Sequence, residues 1–252
     1  MYFLHSGIRV SLVNQNISVD CVIFGFDFKH LNVLLVDRIL YSDNRTITFS
    51  DQTLLGNHVF QEEDIYDAAS RILKELTGFT DIYLEQFHTF ADPNRLKQAR
   101  DRMWLEHLGR DPDNRVISVG YYSLLNCHEV ELNPGSRQVE WVPVDRVGKL
   151  GFDHNLILNT ALEHLKLKVM QNPIAYQLLP RKFTLSQLQK LYEVIFDMPF
   201  DKRNFRKKAA RMKYLVALEE RQTGVAHKPA QLFRFDRSIF EKTKKELFDF
   251  TI

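Results

Sequence analysis

The stretch GNHVFQEEDIYDAASRILKELTGF, residues Gly56 to Phe79, decides how the rest of the chain is read. Ile65, Ala68, Ala69, Ile72, Leu73 and Leu76 recur at the spacing of one helical face, and Gly78 stands where a helix commonly stops. The spacing predicts an amphipathic helix preceded by a glycine-containing loop at Leu55-Gly56-Asn57. Glu62, Glu63 and Asp64 gather at its start, where carboxylates suit the positive end of the helix dipole. Arg71 and Glu75 lie one turn apart and suit a structural ion pair.

Working outward, VDCVIFGF (Val19 to Phe26) and LNVLLVDR (Leu31 to Arg38) are β-rich apolar runs, and the polar link Asp27 to His30 suits a hairpin. Further strands are expected at Ile82 to Phe90, Arg115 to Leu125 and Val139 to Asp145, and a helix at Leu156 to Val169. Apolar positions Ile157, Ala161, Leu162 and Leu165 give that helix its inner face. The fold class expected is α+β, a mixed sheet between helices in an α/β/α sandwich. Between Asp92 and Asp113 lies a charged insert around Met103, Trp104, Leu105 and Leu108, read as a short exposed helix in a loop.

The chain has 252 residues, 44% hydrophobic and 26% charged, which is the composition of a globular protein of one or two domains. No run approaches the ~20 apolar residues of a membrane span. The opening MYFLHSGIRVSLVNQ has neither a basic n-region nor a small-residue cleavage site, so no signal peptide and a cytoplasmic location are expected. Cys21 and Cys127 lie in strand-like runs and are read as buried free thiols; no spacing suggests a metal site. The net charge of +2 conceals an asymmetry. From Pro173 onward 17 Lys/Arg face 9 Asp/Glu, and the preceding residues carry the acidic excess. Two domains follow, 1–172 and 173–252, the second with a polyanionic partner.

In that second part Thr184 and Gln187 form a capping box opening TLSQLQKLYEVIFD, with Leu188, Leu191, Val194 and Ile195 on one face. Asp201 caps DKRNFRKKAARMKYL, whose Phe205, Ala209, Met212 and Leu215 are expected to face inward. YLVAL (Tyr214 to Leu218) and QLFRF (Gln231 to Phe235) then form a hairpin around Gly224, His227, Lys228 and Pro229, and a closing helix is expected from Ser238 to Phe248. Helix, basic helix and hairpin in that order predict a winged helix-turn-helix whose second helix enters the major groove of double-stranded operator DNA. Lys202, Arg203, Asn204, Arg206 and Lys207 are the candidate DNA contacts on the helix, and Lys228 the candidate at the wing tip.

The opening stretch also resembles the Nudix box, G-x5-E-x7-R-E-U-x-E-E-x-G-U with U apolar. Glu63, Arg71, Leu73, Glu75, Gly78 and Phe79 match, while Ile72 and Leu76 fall where the family has metal-binding glutamates. Hard cations need oxygen ligands, and Ile and Leu supply none, so no catalytic residue, metal or cofactor is expected. Together with PRKFTLSQLQKLYEVIF and DKRNFRKK, the box makes the chain similar to Nudix-related transcriptional regulators of the NrtR and AraR kind. VDCVIFGF, RDPDNRVISVGYYSL and the FDH at Phe152 point within that family to the arabinose-responsive branch. The resemblance implies a catalytically silent Nudix domain that senses a small molecule and a homodimer that binds operator DNA, controlling carbohydrate catabolism. Two readings from other classes stand beside it: a Nudix hydrolase acting on ADP-ribose or a related nucleoside diphosphate, and a protein-interaction module. Candidate effector contacts are Asp20, His58, Arg115, Ser118, Asp153 and His154, a polar mix that leans towards a sugar or nucleotide-sugar.

Overall fold

The computed structural model describes residues 12–42, 44–78, 83–128, 138–226 and 228–243, and all but the side chains of Leu76 and Thr77 within them. The expectations placed on residues 1–11, the Leu76 side chain, Phe79, Ile82, His227 and the closing helix beyond Thr243 lie outside the described residues.

The elements run β1 (Val13–Phe26), β2 (Leu31–Tyr41), β3 (Ile47–Thr53), β4 (Leu55–Phe60), α1 (Ile65–Thr77), β5 (Leu84–Phe90), α2 (Ala99–His107), β6 (Ile117–Asn126), β7 (Val139–Pro143) and α3 (His154–Gln171). There follow α4 (Leu185–Phe196), α5 (Lys202–Ala209), β8 (Leu215–Arg221), β9 (Gln231–Phe235) and α6 (Arg237–Thr243). Strand alternation builds two cores from one sheet. Val19, Cys21 and Ile23 of β1 face Ala68, Ala69, Ile72 and Leu73 of α1. Val22, Phe24 and Phe26 face Ile157, Leu158, Ala161, Leu165 and Val169 of α3. The result is the expected α/β/α sandwich. Leu162 only packs at its margin.

The sheet is mixed and runs β3-β2-β1-β6-β5, with β4 also on β1 and β7 also on β2. β1 and β6 are parallel from Ile17↔Ile117 to Phe26↔Asn126. On its other edge β1 changes partner along its length: Phe24 to Phe26 pair with β2, whereas residues from Val13 to Cys21 pair with β4. The β1–β2 link is tied by Asp27, whose Oδ1 accepts from the Lys29 and His30 backbone N–H groups at 2.8 and 2.6 Å. Because β2 and β4 share β1, the sheet forks between them, and the fork opens the main cavity.

Three expectations change here. Leu55-Gly56-Asn57 is strand, not loop: Gly56 pairs with Asp20, and a Cβ at Gly56 would lie 2.1 Å from Asp20 Oδ1. The glycine is there for close approach, not for a turn. The basic helix stops at Ala209, because Leu215 must already pair with Phe235; three-residue turns such as Met212 N–H to Ala209 O fill the gap. Of the cysteines, Cys21 is buried but Cys127 only half-buried; both are free, and burial pushes the Cys127 thiol up to about 12.

α1 begins at Asp64, whose side chain accepts from Tyr66 N–H, and ends at Gly78 with φ 72. The Thr184–Gln187 capping box of α4 forms in both directions. Pro173 to Leu179 form a 3-10 turn that buries Ala175 and Leu178 in the α3 core, and Leu188, Leu191, Ile195 and Phe205 continue the same core. Phe183 and Phe233 exchange both backbone hydrogen bonds (2.9 and 2.7 Å), tying β9 to the entrance of α4.

Candidate functional site

The fork encloses a cavity of about 640 Å³. β1 supplies Asp20, β2 Val36 and Arg38, β3 Thr53, and β4 Asn57 and His58. The charged insert supplies a further wall through Trp104, Leu105, Leu108 and Arg110, and Arg95, Phe152 and His154 complete it.

Behind the polar end lies a buried network. Arg95, 3% exposed at its side chain, donates from Nε and Nη2 to Asp153 at 2.9 and 2.8 Å and from Nη2 to Asp20 at 3.3 Å. Ser118 Oγ donates to Asp20 Oδ2 at 2.5 Å, and His154 Nε2 lies 3.5 Å from Oδ1. Leu54 N–H donates to His154 Nδ1 at 2.9 Å, so the ring proton sits on Nε2, facing Asp20. Burial pulls the His154 pKa down, against the opposing pull of Asp20 and Asp153. Burial pushes the Asp20 carboxyl up, but His154, Arg95 and Ser118 together hold it below the usual carboxylate range.

This geometry divides the six residues expected to meet an effector. Asp20, His58 and His154 line the cavity. Ser118 is fully buried and Asp153 pairs with Arg95, so both buttress the wall instead of facing a ligand; Asp153 makes no capping bond to α3. Arg115 is exposed and donates to the Ala91 carbonyl at 3.3 Å, away from the cavity. His58 has its Nδ1 3.2 Å from Ile17 O, and burial together with Arg110 lowers its pKa. Asp20 spends both oxygens on protein partners, which leaves it little capacity for sugar hydroxyls.

Sequence reasoning missed Arg38, Arg95, Trp104 and Phe152. Arg38 is 3% exposed and donates to Asp51 from Nε at 2.6 Å and from Nη2 at 2.5 Å, and to Asp101 of α2 from Nη2 at 2.9 Å. Its guanidinium carbon lies 4.4 Å from the Phe152 ring centroid, 5.3 Å from Phe49 and 5.5 Å from Trp104. A Cβ at Gly151 would meet Arg38 Nη2 at 2.1 Å, and Phe152 adopts φ 55, a left-handed conformation that costs a bulky side chain. The available signal was the lone arginine ending the apolar run LNVLLVDR, buried against an insert more than sixty residues on.

Among the described residues no group of carboxylates and histidines that could hold a metal ion gathers on the box helix. Arg71 grips Glu63 from Nε at 2.7 Å and Nη2 at 2.9 Å and donates to the His58 carbonyl at 3.2 Å, pinning β4 to α1. The Arg71 hydrogen bond holds the Glu63 carboxyl low. Glu75 meets only the outer side of Arg71, at 3.4 Å, and Ile72 is 2% exposed in the core.

In the C-terminal part, Asp201 caps α5 through Asn204 N–H at 2.8 Å, and Phe205 and Ala209 bury its inner face. Lys202, Arg203, Asn204, Arg206 and Lys207 are all exposed, as is Lys228 on the β8–β9 loop. Over 224 residues the chain is 31% identical to a protein of Acinetobacter baylyi named ADPR responsive transcriptional repressor NtrR, covering 86% of this chain and 81% of that one. The chain belongs to the NrtR family. Residues 175–235 match the NrtR DNA-binding winged helix domain, from the 3-10 turn through β9. NrtR of Shewanella oneidensis is similar across 88% of this chain and 94% of its own, at 26% identity and a TM-score of 0.68. Its structure with a 27mer DNA covers 92% and 96% with a TM-score of 0.70 at 22% identity, and shows the same fold. A MutT/nudix family protein of Enterococcus faecalis also shares the fold, with a TM-score of 0.62 at 21% identity over 88% of each chain. As an NrtR-family member the chain is a transcriptional regulator that joins a Nudix effector domain to a DNA-binding winged helix. The arabinose-responsive branch finds no support, since the Acinetobacter relative is named for ADP-ribose. No helix among the described residues is long and apolar enough to cross a membrane.

Proposed function

We propose that the chain is an ADP-ribose-responsive, non-hydrolytic regulator acting as a homodimer, with sensing in residues 1–172 and operator binding in residues 173–252. The observation that carries it is the pairing of a walled cavity in the sandwich with an exposed basic α5. A cavity of about 640 Å³ is of the size that takes a nucleotide and far exceeds a single pentose. Phe152, Val36, Leu54 and Leu108 offer the apolar surface a purine needs, and Arg38 and Arg110 the charge a diphosphate needs. The named ligand of the Acinetobacter repressor supports the same choice. Hydrolysis is set aside because Ile72 belongs to the core and Glu75 is engaged by Arg71 at the surface. Lys202, Arg203, Asn204, Arg206 and Lys207 would enter the major groove, with Lys228 reaching phosphate beside it.

Fluorescence anisotropy on DNA preceding the protein's own gene, across a salt series, tests the reading. Binding should weaken steeply with salt and change on addition of ADP-ribose but not arabinose. An arabinose response without an ADP-ribose response would overturn the effector. Magnesium-dependent cleavage of ADP-ribose to AMP and ribose 5-phosphate, lost in Glu75→Gln, would restore the hydrolase.

A further inference from the structure

Among the described residues, buried side-chain polar atoms that make no hydrogen bond include Arg38 Nη1, Arg100 Nε, Asp101 Oδ2 and Asn126 Nδ2. Three of these meet where α2 lies on β2. Leaving such atoms unpaired in a dry interior costs about 1–3 kcal/mol each, so a cluster of them marks packing that is not at its optimum.

α2 is also thinly held. It buries only Asp101 and Leu105, has no side-chain N-cap, and leaves Met103 48% exposed. Its buried polar attachment is a carboxylate: Asp101, 0% exposed, accepts from Arg38 Nη2 at 2.9 Å and from Phe152 N–H at 3.0 Å, both on Oδ1, beside Arg100 on the Leu150 carbonyl and Trp104 stacked on Phe49. Asp51 is the better-held partner of the same arginine, gripped by two of its nitrogens and approached by Arg100 Nη1 at 3.5 Å.

Arg38 therefore lines the cavity as a buried cation that already faces two carboxylates and still has one nitrogen without a partner. A phosphate arriving there would be a third anion on one guanidinium, and one carboxylate must yield. Asp101 is the one whose second oxygen is unbonded and whose helix is lightly packed.

We propose that Arg38 is a diphosphate-binding residue of the cavity and that it exchanges Asp101 for a phosphate oxygen, so that effector binding releases α2. The ligand class is a nucleoside diphosphate or another compound carrying a pyrophosphate group. This rests on the reading of the cavity as the ADP-ribose site. Asp101 is then a competitor within the wall: it keeps Arg38 neutralised and α2 docked when no ligand is bound. Phe49 and Phe152, which lie outside α2, hold the guanidinium in place while its partner changes.

The test uses the full chain and two probes, ADP-ribose and inorganic pyrophosphate, in calorimetric titrations of wild type, Asp101→Asn and Arg38→Lys. Asp101→Asn keeps the oxygen that accepts from Arg38 and Phe152 and removes only the charge. It should bind both probes about tenfold more tightly than wild type, and Arg38→Lys should bind both about tenfold more weakly. In wild type, hydrogen exchange of residues 99–107 should quicken by about tenfold on saturation with ADP-ribose, a readout that needs no variant. A purely structural Asp101 predicts the opposite sign: equal or weaker binding in Asp101→Asn, and slower exchange in α2. If ADP-ribose binds all three proteins alike, the effector reading stands and the exchange of partners falls. If pyrophosphate follows the predicted order while ADP-ribose fails to bind, the partner exchange stands and the effector reading falls. If neither probe binds, both are overturned.

Discussion

Replacing Arg95 by methionine keeps most of the side-chain volume and removes the one cation shared by Asp20 and Asp153. The Asp20 and Asp153 side chains are only 8% and 14% exposed, so the variant leaves two carboxylates in a dry wall without their partner. Breaking a buried pair in this way costs about 3–5 kcal/mol. For a chain of this size each kcal/mol moves the midpoint by about 2–4 °C, so a fall of roughly 6–20 °C is expected at neutral pH. The loss should also depend on pH with a definite sign. In wild type Asp20 is held below its ordinary value of 3.8, so its contribution is present above that pH and fades as pH falls through the lower folded value. In the variant burial acts without Arg95, the folded pKa of Asp20 rises above the unfolded one, and protonation relieves the strain as the pH drops. Urea unfolding followed by circular dichroism at pH 7 and pH 4 should therefore show a smaller gap between the two proteins at pH 4. A gap below about 1 kcal/mol at pH 7, or one that widens on acidification, would refute the network as described.

Gly56→Ala should cost about 1–3 kcal/mol in the same unfolding assay, because the new methyl meets Asp20 Oδ1 at 2.1 Å and Val19 O at 3.1 Å. Ile72→Glu, which restores the box residue, should give no magnesium-dependent hydrolase and should lower stability by about 2–5 kcal/mol, since the position is 2% exposed in the α1 core. Arg203→Ala and Arg206→Ala should each reduce the slope of log K against log salt for DNA by about one unit, read by anisotropy. Thr184→Ala should lower thermal stability by about 1 kcal/mol through loss of the capping box.

What the sequence made legible was local chemistry. The α1 period, its stop at Gly78, the Thr184–Gln187 box and the Asp201 cap each depend on residues a few places apart, and each forms. What it concealed depends on distance. Gly56 reads as a turn residue until Asp20 is seen beside it across β1 and β4. The insert has no apolar period, so its charged Asp101 looked like surface; only Arg38, brought up from β2, explains why it is buried. Ser118 and Asp153 carry the polar groups a ligand would want, yet Arg95 and Asp20 claim them first, a choice settled by three-dimensional neighbours. The end of α5 was misjudged for the same reason, since strand pairing at Leu215 overrides a run that would tolerate more helix.

The root of the wing has a mechanical meaning. Tyr176 and Phe235 stack with centroids 3.8 Å apart and planes 7° from parallel, and the Phe183–Phe233 pair fastens the same strand one step away. Beyond these two fixings β8 and β9 leave the α3 core towards the loop that carries Lys228, with the exposed Lys182–Glu220 pair as a further tie. A seven-residue strand is roughly 20 Å long at about 3.3 Å per residue. A tilt of about 10° at the stacked rings thus sweeps the loop through some 3–4 Å, more than the ~2.7–3.2 Å length of a hydrogen bond to a phosphate oxygen. The stack is a fulcrum, and a displacement too small to repack the hydrophobic interior is long enough at the tip to take a lysine off its phosphate.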